Sequence, residues 1–331
     1  MKKVILLILL ISFSNVFTQN IYEYEREINN KGNFIFQETE FENGNIKLSG
    51  TLIIPKSNFD KIVIIVPGSG KDTRFSHPKL AEKLLKNNVA VYRFDERGVG
   101  KSSGDYSRKV STLKTDLYYC VKHLEKIESL KNKKIGVLGH SLGGMASIGI
   151  LEYKPNVDFL IQMSTPVNAG ESFKNRVSEI DVFKNRKRTI EETERIIDTF
   201  NIIIRSVDGY TNIKKECEKA RRKLKFPKYI SQIYLKPQII NIVKLNTEFY
   251  YKNVDIPLLY IISKNDELID VQYGVRKLTE FDNDFINIEI LEKMDHYLTY
   301  NFGEWSKSKK SIVREIDNIA VDKIINWINK I

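Results

Sequence analysis

Three residue types in this chain could perform nucleophilic chemistry together: a serine between glycines, a histidine far downstream, and a carboxylate to orient it. The serine is Ser141, in Gly139-His140-Ser141-Leu142-Gly143. The run fits G-x-S-x-G, where a serine stands on a sharp turn between a strand and a helix. Lys134-Ile135-Gly136-Val137-Leu138 precedes it, a short apolar run of strand type. Gly144 to Leu151 follows, small and apolar, with the composition of a buried helix. A serine on so tight a turn takes a strained backbone conformation, and side chains at the glycine positions would strike the strand or the helix. The helix N-terminus directs unpaired N–H groups at the same point.

A serine hydroxyl needs a base to take its proton, and the base needs a carboxylate to orient it. Downstream of Ser141 there is one histidine, His296, in Lys293-Met294-Asp295-His296-Tyr297. Asp266 follows the predicted strand Leu258 to Ile262 directly, at the edge where open α/β sheets gather their sites. Asp270, Glu267 and Asp295 are the alternative acids. An acyl-transfer intermediate also needs two backbone N–H donors for its oxyanion. Leu142, next after the serine, offers one. Ser69 offers the other, in Pro67-Gly68-Ser69-Gly70 after the predicted strand Ile62 to Val66, where glycines let the main chain bend close to a substrate.

These residues need a scaffold, and the pattern supplies one. Ile35 to Phe41 and Ile46 to Ile54 read as strands joined at Asn43-Gly44-Asn45, a hairpin signal. Further strands are predicted at 89–94, 157–163, 257–262 and 286–291, with helices at 78–88, 113–130, 271–281 and 316–328. Such alternation predicts a mostly parallel sheet covered on both faces. Residues 165–254 break it with charged helical patterns such as Ile190 to Ile204 and Thr211 to Leu224, so they read as a helical cap insertion. The expected organisation is a signal peptide over 1–18, core over 19–164, cap over 165–254 and core again over 255–331. Ile196, Phe200 and Ile203, like Ile239, Ile240 and Val243, form apolar faces that either line an acyl pocket or pack the cap.

The start of the chain has the build of a secretory signal: Met1-Lys2-Lys3, an apolar run from Val4 to Ile11, then a polar exit ahead of Gln19. A secreted or periplasmic protein is expected, with an uncleaved anchor as the alternative. Cys120 and Cys217 are the only cysteines; Cys120 lies in a helical pattern with Leu117, Val121 and Leu124, which suits a buried free thiol. The cysteine separation and the four scattered histidines give no metal-ligand spacing, so neither metal nor organic cofactor is expected. Gly70-Lys71-Asp72 and Gly100-Lys101-Ser102 resemble phosphate loops, but Ile65 and Asp95 stand where each would need its first glycine. Nucleotide and nucleic-acid binding are set aside. The net charge of +11 is concentrated between Lys174 and Lys228. Interleaved glutamates there suit solvated helix faces; the competing reading is weak association with an anionic surface. In Phe94-Asp95-Glu96-Arg97-Gly98-Val99-Gly100-Lys101-Ser102, Asp95 and Arg97 read as a charge-assisted lock on a turn.

Taken in order, Pro67-Gly68-Ser69-Gly70, the Phe94–Ser102 loop, Gly139-His140-Ser141-Leu142-Gly143-Gly144, and Asp266 with His296 resemble the α/β-hydrolase superfamily. Within it the chain is similar to the serine aminopeptidase-like and acylglycerol-lipase-like branch, which includes bacterial carboxylesterases. The resemblance runs from about residue 35 to the end, the cap excepted. It implies an eight-stranded, mostly parallel sheet and a serine hydrolase with Ser141, Asp266 and His296 as its triad. Many relatives carry His-Gly where this chain has Pro67-Gly68. A carboxylic-ester hydrolase acting on a small ester is the leading expectation. A serine aminopeptidase, which would want an acidic site from Glu171, Glu179 or Asp181, an acyltransferase, and a catalytically dead binding protein are the alternatives.

Overall fold

The computed structural model describes residues 25–172, 174, 189–226, 228–300, 304–306, 311–313 and 315–331. The segment 1–18 expected to be a signal peptide, the acidic residues Glu179 and Asp181, and the basic run 184–188 lie outside these.

Eight strands form one sheet: β1 (Phe34–Asn43), β2 (Ile46–Pro55), β3 (Lys61–Val66), β4 (Val89–Phe94), β5 (Lys134–His140), β6 (Phe159–Met163), β7 (Leu258–Ser263) and β8 (Ile286–Leu291). Their order is β1-β2-β4-β3-β5-β6-β7-β8. The β1–β2 hairpin and the β2–β4 pair are antiparallel; every later pair is parallel. Gly44 turns the hairpin at φ 63°, which explains the Asn-Gly signal. The continuous apolar run of β3 is needed because both of its faces are covered: Ile62, Ile64 and Val66 enter one core, Val63 and Ile65 the other.

The covering helices are α1 (Pro78–Lys86), α2 (Val110–Leu124), α3 (Leu142–Gly149), α9 (Val271–Phe281) and α10 (Asn318–Ile328). The helix expected over 113–130 begins earlier and ends at Leu124, and Glu128–Leu130 is a separate 3-10 turn. Cys120 is buried in α2 as a free thiol, and Cys217 is likewise buried and free. A short hairpin that periodicity did not reveal pairs β9 (Glu304–Ser306) with β10 (Ser311–Val313).

Between β6 and β7 the described residues contain α4 (Ile190–Ser206), α5 (Tyr210–Lys223), α6 (Lys228–Tyr234), α7 (Pro237–Lys244) and α8 (Thr247–Asn253). Helix α4 starts at a capping box: Thr189 accepts from the Glu192 N–H while Glu192 accepts from the Thr189 N–H. The apolar faces of these helices close on one another. Ile196, Phe200, Ile240 and Val243 share a core of their own, apart from the two sheet cores. Phe200 is fully buried, its ring 5.8 Å from Phe226 and 5.9 Å from Tyr234. Of the two readings of this face, packing of these helices on one another fits. Phe200→Ala is therefore expected to cost about 3–5 kcal/mol of stability. A denaturation midpoint equal to wild type would contradict this.

Candidate active site

Strands β3 and β5 are adjacent and parallel, with Val66 paired to Gly139, so the Pro67–Gly68 turn and Ser141 leave the sheet side by side. This is the switch point of the sheet, since β4 lies on one side of β3 and β5 on the other. Ser141 caps α3 with φ 54° and ψ −112°, the left-handed half of backbone space that non-glycine residues rarely occupy. Its neighbours make the strain tolerable by having no side chains. A Cβ at Gly139 would stand 2.5 Å from the Gly144 backbone, and one at Gly143 would stand 2.3 Å from the Pro67 carbonyl oxygen. The Pro67–Gly68 turn lies against the elbow: a Cβ at Gly68 would meet Cβ of Ser141 at an ordinary contact distance of 3.6 Å. Leu142 opens α3, so the helix ladder offers its N–H no acceptor. Ser69 lies one residue beyond that turn and is partly exposed.

Asp266 and His296 come together from the loops after β7 and β8. His296 Nδ1 lies 2.8 Å from Oδ2 and 3.0 Å from Oδ1 of Asp266. The carboxylate is itself held, because its Oδ1 accepts from the N–H groups of Leu268 (2.8 Å) and Ile269 (3.0 Å). The alternative acids have other partners. Asp270 caps α9 by accepting from the Tyr273 N–H, and Asp295 accepts from the N–H groups of Tyr297 and Thr299. Glu267 accepts from the backbone N–H of His296 at 3.0 Å. Burial opposes a charge on His296, but Asp266, aided by Glu267 and Asp295, outweighs it and raises the imidazole above its ordinary value of 6.5.

His140 is a member of this cluster that motif reading passed over. Its Nε2 is 3.1 Å from the carbonyl oxygen of His296, and its Nδ1 is 3.3 Å from Nε2 of His77. A carbonyl only accepts, so Nε2 of His140 carries the proton and Nδ1 takes one from His77. Burial, with His296 and His77 nearby, holds His140 well below the ordinary range, and burial with Arg93 pushes His77 down to about 4. Both are neutral donors that fix geometry. The available signal was a polar ring ending an otherwise apolar buried strand, which must find a partner.

The Asp95–Arg97 lock takes a different form from the one expected. Asp95 pairs with the buried Arg74 at 2.8 Å, and Arg97 reaches Asp116 on α2 instead. The turn is tied down by charge, but each member faces its own partner.

Comparison with known proteins bears on the family and the fold. The family model described as "Serine aminopeptidase, S33" matches residues 57–230. An uncharacterised 31.7 kDa protein of the traX-finO intergenic region of Escherichia coli is 31% identical over 96 residues, which is 28% of this chain and 34% of that protein. The chain thus spans about a third of the length of the curated relatives it matches. Among solved structures, the Pyrococcus furiosus esterase Pf2001 is similar at a TM-score of 0.58 and 20% identity, over 92% of this chain and 95% of the esterase. Est1E of Butyrivibrio proteoclasticus, solved with ferulic acid, has a TM-score of 0.51 and 19% identity over 78% of this chain and 90% of its own. The acylaminoacyl peptidase of Pyrococcus horikoshii has a TM-score of 0.52 and 17% identity, covering 80% of this chain and 38% of that one. At these identities the likeness is one of fold, and the fold is that of the α/β-hydrolases.

Proposed function

Since the chain belongs to the serine aminopeptidase S33 family of α/β-hydrolases, we propose that this hydrolase cleaves carboxylic esters through an acyl-enzyme on Ser141. The observation that carries the reading is the Asp266–His296 pair at 2.8 Å, in a fold that presents Ser141 on a strand-to-helix turn at φ 54°. His296 takes the hydroxyl proton as Ser141 attacks the acyl carbon. Asp266 orients the ring and stabilises its imidazolium. The N–H groups of Leu142 and Ser69 receive the oxyanion. His296 then returns the proton to the leaving alcohol, and water, activated by the same ring, releases the acid. This sequence needs no metal and no organic cofactor.

A peptidase of the same fold is the second reading. It wants a free carboxylate for a substrate ammonium, from Glu171, Glu179 or Asp181. Glu171 is engaged by Lys174 at 2.5 Å, and the other two lie outside the described residues. The deciding measurement sets p-nitrophenyl acetate and butyrate beside aminoacyl p-nitroanilides. Ester kcat/KM is expected to exceed anilide kcat/KM by roughly a hundredfold or more; the reverse order would make the enzyme an aminopeptidase. We further propose export, on the strength of the positively charged and then apolar N-terminus. The basic helix α5 reads as a solvated face, because Glu216–Lys219 and Glu218–Arg221 pair along it one turn apart.

A further inference from the structure

The segment after β3 carries the proposed second oxyanion donor, yet it is neither helix nor strand from Pro67 to His77. An irregular loop holds a hydrogen-bond donor in place only if its other peptide groups are held. Here they are held one after another by side chains from elsewhere. The Tyr106 hydroxyl donates to the carbonyl of Ser69 at 2.9 Å and also reaches the carbonyl of Gly70. The N–H and hydroxyl of Thr73 donate to Glu25 at 2.6 and 2.7 Å. The N–H of Arg74 donates to Asp95 at 2.8 Å.

Two of these three holders, Asp95 and Tyr106, come from the stretch that follows β4, and its glycines are shaped for the task. Gly98 has φ +69°, and a Cβ there would stand 2.3 Å from the backbone nitrogen of Tyr106. The chain crosses itself at that point, and the crossing sets the height of the Tyr106 ring over the turn. Gly100 has φ +54°, and a Cβ there would stand 2.4 Å from the Asp95 carboxylate, the same group that receives the Lys101 N–H at 2.9 Å. Arg108 donates in turn to the Tyr106 oxygen.

We propose that Tyr106 is a positioning residue for the oxyanion arm: by fixing the carbonyls of Ser69 and Gly70, its hydroxyl aims the Ser69 N–H at the developing oxyanion. This rests on the assignment of Ser141 as nucleophile and Ser69 as donor. An aimed donor matters most when charge develops, so its loss falls on the transition state and spares ground-state binding.

The test is Y106F in the full chain, with p-nitrophenyl butyrate as substrate and phenylboronic acid as a tetrahedral adduct former. Removing an oxyanion donor outright costs about 10²–10³ in kcat, so misaiming one is expected to cost roughly tenfold. KM should stay within about threefold, and boronate inhibition should weaken by the same roughly tenfold factor. Gly98→Ala, which displaces Tyr106 through its backbone with the hydroxyl intact, should give the same signature. Unchanged kcat in Y106F, a kcat loss without loss of boronate affinity, or a fall in melting temperature alone would each overturn the proposal. Wild type and S141A, assayed alongside, separate the two readings. Ester turnover that survives in S141A overturns the nucleophile and this proposal with it, whereas turnover lost in S141A and kept in Y106F overturns only the role of Tyr106.

Discussion

Ser141→Ala is expected to lower ester turnover on the order of 10³-fold or more while leaving the fold intact, because nothing else at the elbow can form the acyl-enzyme. The partly exposed Ser141 stands at φ 54° on a turn enforced by Gly139 and Gly143 rather than by its own hydroxyl. Losing the hydroxyl therefore removes the reaction and not the turn. The check is kcat on p-nitrophenyl butyrate beside a circular dichroism spectrum. A folded variant within tenfold of wild type would show that Ser141 is not the nucleophile.

The second large effect belongs to the acid. Asp266→Asn should reduce kcat by about 10³–10⁴-fold, since an amide cannot hold the tautomer of His296 or stabilise its imidazolium. Asp270→Asn should stay within about threefold of wild type, because Asp270 caps a helix and asparagine caps as well. The pH profile gives a second reading. His296 must be neutral to act as base, so kcat/KM falls as pH drops through its raised pKa. Asp266 is the strongest influence raising that pKa, so its neutralisation should move the acid limb to lower pH. An acid limb that stays in place, or a crippling Asp270→Asn, would reassign the acid without disturbing the fold.

Much of this site could be read from residue types alone, and the reason is local. Strand β3, the elbow at Ser141 and the hairpin at Gly44 each announce themselves within about ten residues, through period, apolar runs and glycine. Asp266 was favoured because it leaves a strand end, and its Oδ2 stands 2.8 Å from His296 Nδ1. What stayed hidden depends on distant partners. His140 meets the His296 carbonyl from 156 residues away, and Arg74 meets Asp95 from a turn with no period of its own. Helix α2 ended short of its predicted limit because the apolar pattern runs on through Ile127 and Leu130, which also pack against or within the sheet core but from a 3-10 turn. The apolar faces of the cap were visible, but only the mutual packing of Phe200, Phe226 and Tyr234 tells what they cover.

The cap also bears on how the chain finds its fold. The backbone leaves the sheet at Met163 and re-enters at Leu258, yet Leu160 and Leu258 are paired residues on neighbouring strands. Everything between them must be looped out before β7 can register against β6. Because the entropy of closing a loop grows only with the logarithm of its length, about 0.6 kcal/mol per doubling, the equilibrium hardly registers how long the excursion is. The kinetics do, since pairings this far apart in sequence form slowly. The half of the sheet that carries Asp266 and His296 is accordingly expected to assemble late, and the segment inserted ahead of it to vary in length at little thermodynamic cost.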